Sequence, residues 1–209
     1  MPFNIHEFKS KGLVGGGARP SLFDVEITFA DVDIKGGLEN LKFLARATQL
    51  PAMTVPSIDV PYFGRKIKVS GDRTFADWSI TVMNDEDFKL RAAFENWSNK
   101  LNTIRSNINA FGNSPSSYKG TATVNQYSKA GKSGDAAVAL RSYLFDGIFP
   151  TQIDAINLDW DTVNQVETFD VTFAYDLWDL ASTKAGDFDS SLPGSGYAKP
   201  TTAVSGSGR

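Results

Sequence analysis

The sequence predicts a mainly β fold, an antiparallel β-sandwich or barrel with one flanking α-helix, and three observations carry that prediction. Apolar and polar residues alternate in one short stretch after another from Ser21 to Tyr175. A helical period over any length appears only once, at Leu90, Phe94, Trp97 and Leu101. No internal repeat or second core-forming block interrupts the pattern, so one β-rich domain is the simplest arrangement.

The elements follow in order. Residues 1–20 mix Phe3, Ile5 and Phe8 with Lys9 and Lys11, then run through three glycines to Pro20, and read as a flexible arm. The β domain is expected over 21–181. It opens with a half-buried strand that carries Phe23, Val25, Ile27 and Phe29 on one face. After a break at Gly36 and Gly37, Leu41 to Ala47 alternates again and stops at Pro51. Val55 to Tyr62 and Arg65 to Val69, joined around Phe63 and Gly64, read as a β-hairpin; Pro56 and Pro61 point to an edge or projecting position. Trp78, Ile80 and Val82 make the next strand. Asn84 then reads as a helix cap, followed by three acids at a helix start. Trp78, Leu90, Phe94 and Trp97 are the expected packing residues between that helix and the sheet. Asn109 to Lys119 is a loop, and further strands are expected at Ala122–Gln126, Ala139–Tyr143, Ile156–Trp160 and Phe169–Tyr175. Residues 182–209, rich in Gly and Ser, have the composition of a disordered tail.

Composition narrows the chemistry. The chain has 209 residues and no cysteine, which excludes disulfides, thiolate catalysis and cysteine-ligated metal sites. No apolar run approaches the ~18 residues that span a bilayer, and Met1 to Arg19 lacks the apolar stretch of a signal peptide, so a soluble, non-exported protein is expected. The net charge of −3 hides an uneven distribution: residues 1–141 hold 18 Lys/Arg against 14 Asp/Glu, whereas residues 142–183 hold eight acids and no base.

No catalytic constellation survives its plainer alternative. His6 stands alone in the arm, where a triad needs a nucleophile and an orienting partner. Gly131, Lys132 and Ser133 lack the upstream glycine of a phosphate loop, since Gln126 occupies that position, and read as a hairpin turn. Asp159 and Asp161 flank Trp160 and, on the expected strand, share one face as glycosidase carboxylates can; solvated strand residues do the same far more often. Neither the Asp31/Asp33 pair nor the Asp85–Asp87 run has calcium-loop spacing. No enzyme, cofactor or metal is expected. Arg65, Lys66, Lys68 and Arg73 cluster with Tyr62 and Phe63, but their density is modest for phosphate binding in an acidic chain.

Three stretches carry a family resemblance. From Ala45, Ala47, Leu50 and Pro51 the sequence runs into Gly64-Arg65-Lys66-Ile67, Gly71-Asp72-Arg73-Thr74-Phe75 and Asp77-Trp78, then through Asn84-Asp85-Glu86 to Phe94 and Trp97. Ala18-Arg19-Pro20, Leu22 and Phe23 open the match, and Gly147-Ile148-Phe149-Pro150-Thr151, Leu158-Asp159-Trp160-Asp161 and Thr168-Phe169 close it. This order resembles the tail tube proteins of contractile-tailed, T-even-like bacteriophages, a family related to the type VI secretion tube protein. The resemblance implies a structural virion subunit that is assembled in the host cytoplasm into stacked hexameric rings. It implies as partners further copies of the chain, a sheath, a tape-measure protein, and baseplate and terminator proteins, with DNA passing through the lumen without base readout. A baseplate tube initiator of the same fold, or a carbohydrate-binding sandwich, are the alternatives.

Within that frame the hairpin residues Pro61, Tyr62, Gly64, Arg65, Lys66, Lys68 and Arg73 are expected to mediate self-assembly. Asp154, Asp159, Asp161, Glu167 and Asp170 are expected to form an acidic counter-surface on another copy.

Overall fold

A computed structural model of the chain describes residues 4–13, 17–112, 114–129 and 139–180. The Gly131–Ser133 turn and the tail 182–209 lie outside the described residues.

The sandwich is organised by one bent ribbon. Strand β7 (Ala139–Ile153) is 15 residues long and belongs to both layers. Its first part pairs with β6 (Gly120–Tyr127) and with β9 (Leu177–Leu180), and its last part with β8 (Thr168–Ala174). The bend falls at Gly147, whose φ of 70° is open to glycine and strained for other residues. A Cβ there would also collide with the Asp176 carboxylate. β1 (Phe23–Thr28) closes one layer beside β6; β5 (Trp78–Met83) and β2 (Ala45–Thr48) extend the other beyond β8. All pairings are antiparallel. A separate two-stranded ribbon is formed by β3 (Ser57–Tyr62) and β4 (Arg65–Ser70).

The core follows from the alternation. Val25, Ile27, Ile80, Val82, Phe169, Val171 and Phe173 point inward from their strands and are buried. Trp78 stacks on Phe145 of the opposite layer at 4.6 Å between ring centroids. Its indole Nε1 donates to Thr48 Oγ1 at 2.9 Å and to the Gln49 carbonyl at 3.1 Å, so the polar end of a buried ring is satisfied. Helix α4 (Lys89–Leu101) lays Leu90, Ala93, Phe94 and Trp97 on this core. Trp97 Nε1 donates to the Tyr118 carbonyl at 3.0 Å.

Several elements depart from expectation. A second helix, α2 (Val32–Leu38), packs against α4, where the glycine pair had signalled a break. Gly37 makes the approach: a Cβ on it would stand 2.6 Å from the Ala93 Cβ. Leu41–Leu44 forms the short helix α3 before β2, so the apolar alternation read there is strand only from Ala45. Pro115–Tyr118 is a single helical turn, α5, within the expected loop. In the arm, Ile5–Glu7 is helical (α1), capped by Asn4 Oδ1, and continues as a π-helical turn over Phe8–Gly12. Asn84 is no helix cap. It is buried, its Nδ2 donates to Glu167 Oε2 at 3.0 Å, and α4 starts only after Phe88. The strand expected at Ile156–Trp160 does not form: residues 154–167 are a loop between β7 and β8.

Candidate assembly surface

The β3–β4 ribbon carries the expected cations and more. Its register pairs Ile58 with Val69, Val60 with Ile67 and Tyr62 with Arg65, so these six share one face. Asp59, Pro61, Lys66 and Lys68 occupy the other. Every residue of both strands is exposed. The four aliphatic residues of the first face are 45–55% exposed, the half-covered state of one side of a ribbon with no layer behind it. Phe63 and Gly64 form the two-residue turn with φ of 43° and 80°, the mirror-image turn that suits strand twist. Phe63 is 90% exposed and packs edge-on against Tyr62. Arg73 lies outside the ribbon, at its base beside the Thr54–Thr74 bridge.

The charges of the ribbon are only partly spent. Lys66 Nζ lies 3.5 Å from Asp59 Oδ2, and Lys68 stands opposite the same carboxylate. Residues 57–70 thus hold three cations and one acid, with Lys66 and Lys68 on the face of Asp59 and Arg65 on the other.

The acidic residues do not form one strand face. Asp154, Asp159 and Asp161 sit on or at the start of the β7–β8 loop, where Asp159 Oδ1 accepts from the Asp161 amide at 3.0 Å. Asp154 Oδ1 accepts from Gln152 Nε2, and Glu167 is engaged by Asn84. Asp170 projects from β8. The shared face expected for Asp159 and Asp161 is thereby lost with the strand. Residues 155–168 instead wall a cleft of about 420 Å³. Its loop exposes Leu158 (80%) and Trp160 (99%), with Val163 and Val166 also bare.

These two surfaces lie at opposite ends of one layer. β2 and β5 pair up to Thr48↔Ile80; beyond that, the chains continue through Thr54↔Thr74 and the Gly71 N to Pro56 O bond into the ribbon. At the other end of β5, Met83 pairs with Thr168, and the Asn84 amide donates to the Glu167 carbonyl at 2.9 Å. The intervening length of β5 is about 17 Å at ~3.3 Å per residue.

Sequence reasoning named the cations of the ribbon and missed its apolar face, Phe63, and the bare Leu158 and Trp160. Alternation marks an apolar face without telling whether anything covers it. Among the described residues no group of three or more His, Asp or Glu side chains is placed to hold a metal, and no helix is long and apolar enough to cross a membrane.

A β-sandwich with a helical flank and a projecting ribbon whose apolar face is left uncovered is the class of fold that the described residues define. The chain belongs to the phage tail tube protein family, whose model matches residues 18–181. It is 39% identical over 165 residues to the tail tube protein gp19 of Enterobacteria phage T4, covering 79% of this chain and 93% of that one. The gp19 of phage T6 matches to the same extent. Among solved structures, a chain of the anti-feeding prophage baseplate overlays with a TM-score of 0.58 at 11% identity, covering 82% of this chain and all of that one. A chain of an extracellular contractile injection system sheath-tube complex in the extended state gives 0.52 at 12% identity, covering 85% and 97%. These last two likenesses establish the fold. The curated relatives are structural tail proteins.

Proposed function

We propose that the chain forms the wall of a contractile phage tail tube by assembling into stacked hexameric rings, with the β3–β4 ribbon burying its apolar face on neighbouring copies. The observation that carries this reading is the half-bare face of Ile58, Val60, Ile67 and Val69 on a ribbon with no layer behind it. Completing the burial of half-exposed aliphatic side chains is worth about 1 kcal/mol each, so roughly 4 kcal/mol per ribbon is available for assembly. The edge strands β1 and β2 offer unpaired backbone for joining sheets around a ring, which would remove edges that otherwise template aggregation. In this reading the outer wall meets the sheath, the lumen meets a tape-measure protein and then DNA, and baseplate and terminator proteins start and stop growth. The assembled tube resides in the virion, after assembly in the host cytoplasm. Acidic lumen residues would repel phosphate and leave no sticking points.

Negative-stain microscopy and sedimentation of the purified protein test the proposal. Wild type should form tubes with sixfold rings. I67D/V69D should remain monomeric with the near-ultraviolet dichroism of buried Trp78 and Trp97 intact. Wild type that stays monomeric at high concentration, or a variant that forms tubes as readily, would sink it; isolated single rings would point to a tube initiator.

A further inference from the structure

Building on that reading, we propose that the cleft of the β7–β8 loop receives the hairpin tip of a second copy, with Phe63 seated against Leu158 and Trp160 and Arg65 facing Asp159 and Asp161.

Four observations converge. First, ribbon and cleft are at opposite ends of the β5 layer, so the cleft of one copy is separated from its own ribbon by the length of that strand, and a second copy is the partner that the tube reading supplies. Second, the tip displays an aromatic where an aromatic is locally unfavourable. The φ of 43° at Phe63 belongs to the region that Gly, Asn and Asp fill readily, yet the side chain is 90% exposed and stabilises nothing but the edge contact with Tyr62. Third, the cleft is large enough and carries an apolar patch on a mainly polar wall. Its volume of about 420 Å³ admits a phenyl ring, and the bare Leu158 and Trp160 form that patch. Fourth, the charges are complementary. The ribbon holds three cations against one acid, whereas residues 142–183 hold no Lys or Arg. Of the cations at this loop, Arg46 of β2 lies on its Gln165–Val166 side and Arg91 of α4 donates to the Asp154 carbonyl at 3.2 Å, and neither lines the cleft with Leu158, Asp159 and Trp160.

The division of labour follows from magnitudes. Exposed ion pairs contribute little affinity, whereas aromatic anchors in a pocket dominate interfaces. Phe63 and Trp160 therefore supply the hold, and the charges supply register and encounter rate. Because donor and acceptor are different surfaces at opposite ends, the contact is head-to-tail and does not close on itself, as a growing tube requires.

The absence of cysteine makes the test clean. In the double variant F63C/L158C each chain carries one thiol on the tip and one in the cleft, so oxidation of assembled protein should give a ladder extending well beyond dimers. F63C/I104C, with its second thiol on the exposed loop after α4, should give no such ladder. Assembled tubes in which both variants cross-link alike, or F63C/L158C does not, overturn the pairing and leave the tube assignment standing. Failure of the wild type to assemble overturns the tube assignment itself. Since F63C removes the aromatic, a charge cycle supplies a second measurement. R65E/K68E should raise the critical concentration for assembly about tenfold or more, and D159K/D161K in the same chain should recover most of that loss. No recovery counts against the pairing.

Discussion

Gly36 and Gly37 lie side by side in α2 and should respond to the same substitution with opposite signs. A Cβ added at Gly36 meets nothing within 4 Å, whereas one added at Gly37 falls 2.6 Å from the Ala93 Cβ and 3.2 Å from the Lys89 carbonyl oxygen of α4. In a helix interior Gly→Ala gains about 1 kcal/mol from propensity alone. G36A should therefore stabilise by about 0.5–1 kcal/mol. G37A receives the same gain but must force two helices apart, and overpacking of this kind costs about 1–3 kcal/mol, more where the obstacle is backbone. The net expectation is a loss of about 1–2 kcal/mol, so the two variants should differ by roughly 2 kcal/mol, or several degrees in melting temperature for a chain of this size, where each kcal/mol shifts it by about 2–4 °C. Urea unfolding should be measured in the I67D/V69D background, so that assembly does not add to apparent stability. Equal stability of the two variants, or a gain in G37A, would refute the proposed close contact of α2 with α4.

Two further predictions concern polar groups in the sandwich. Burial, then the hydrogen bond from Tyr127 Oη to Asp24 Oδ2 at 2.7 Å and the Asp24 charge, push the Tyr127 phenol up to about 12 from 10. The folded chain thus holds this proton more tightly than the unfolded chain, so the stabilisation is fully present below pH 10 and is lost as pH rises towards 12. D24N should lower the tyrosinate midpoint in ultraviolet difference absorbance without returning it fully, because burial is the larger cause; an unchanged midpoint would refute the contact. W97F should cost about 1–3 kcal/mol, because the Tyr118 carbonyl loses its indole donor at the helix–sheet junction. A change below about 0.5 kcal/mol in urea unfolding would contradict that role.

The strands facing the core were legible because their apolar residues obey both the period and the burial. Val25/Ile27, Trp78/Ile80/Val82 and Phe169/Val171/Phe173 alternate and are all buried. The same period misled at Ile156, Leu158 and Trp160, since alternation marks which side chains could share a face and not whether a partner strand exists. α2 was illegible for the opposite reason: its glycines weaken propensity, and the helix exists because Gly37 permits contact with α4. Asn84 followed by three acids satisfied every local rule for a helix start, yet a long-range bond to Glu167 claimed it. β9 was missed because Leu177–Leu180 is too short to show a pattern. At the candidate surface the cations of the ribbon were visible from their clustering. Its bare face was not, because exposure is a property of what the rest of the chain leaves uncovered.

The ribbon also dictates how a neighbouring copy should engage it. Its turn makes Tyr62↔Arg65 the hydrogen-bonded pair that closes the loop, so the next pair, Pro61↔Lys66, is non-bonded and Pro61 directs its donor-less nitrogen to the free edge of β3. Proline there, with Lys66 and Lys68 on β4, blunts the ribbon against edge-to-edge strand addition, the usual route by which an exposed hairpin aggregates. The face is not blunted: Ile58, Val60, Ile67 and Val69 remain half bare. Docking through the face and the tip, with the edge withheld, lets a copy be captured by a shaped surface on its neighbour and excludes indiscriminate strand pairing. Replacing Pro61 by threonine would restore the missing donor while leaving the apolar face intact. P61T is expected to keep its tubes but acquire a thioflavin-binding aggregate during refolding; a variant that stays as free of aggregate as the wild type would show that the proline is not what guards the edge.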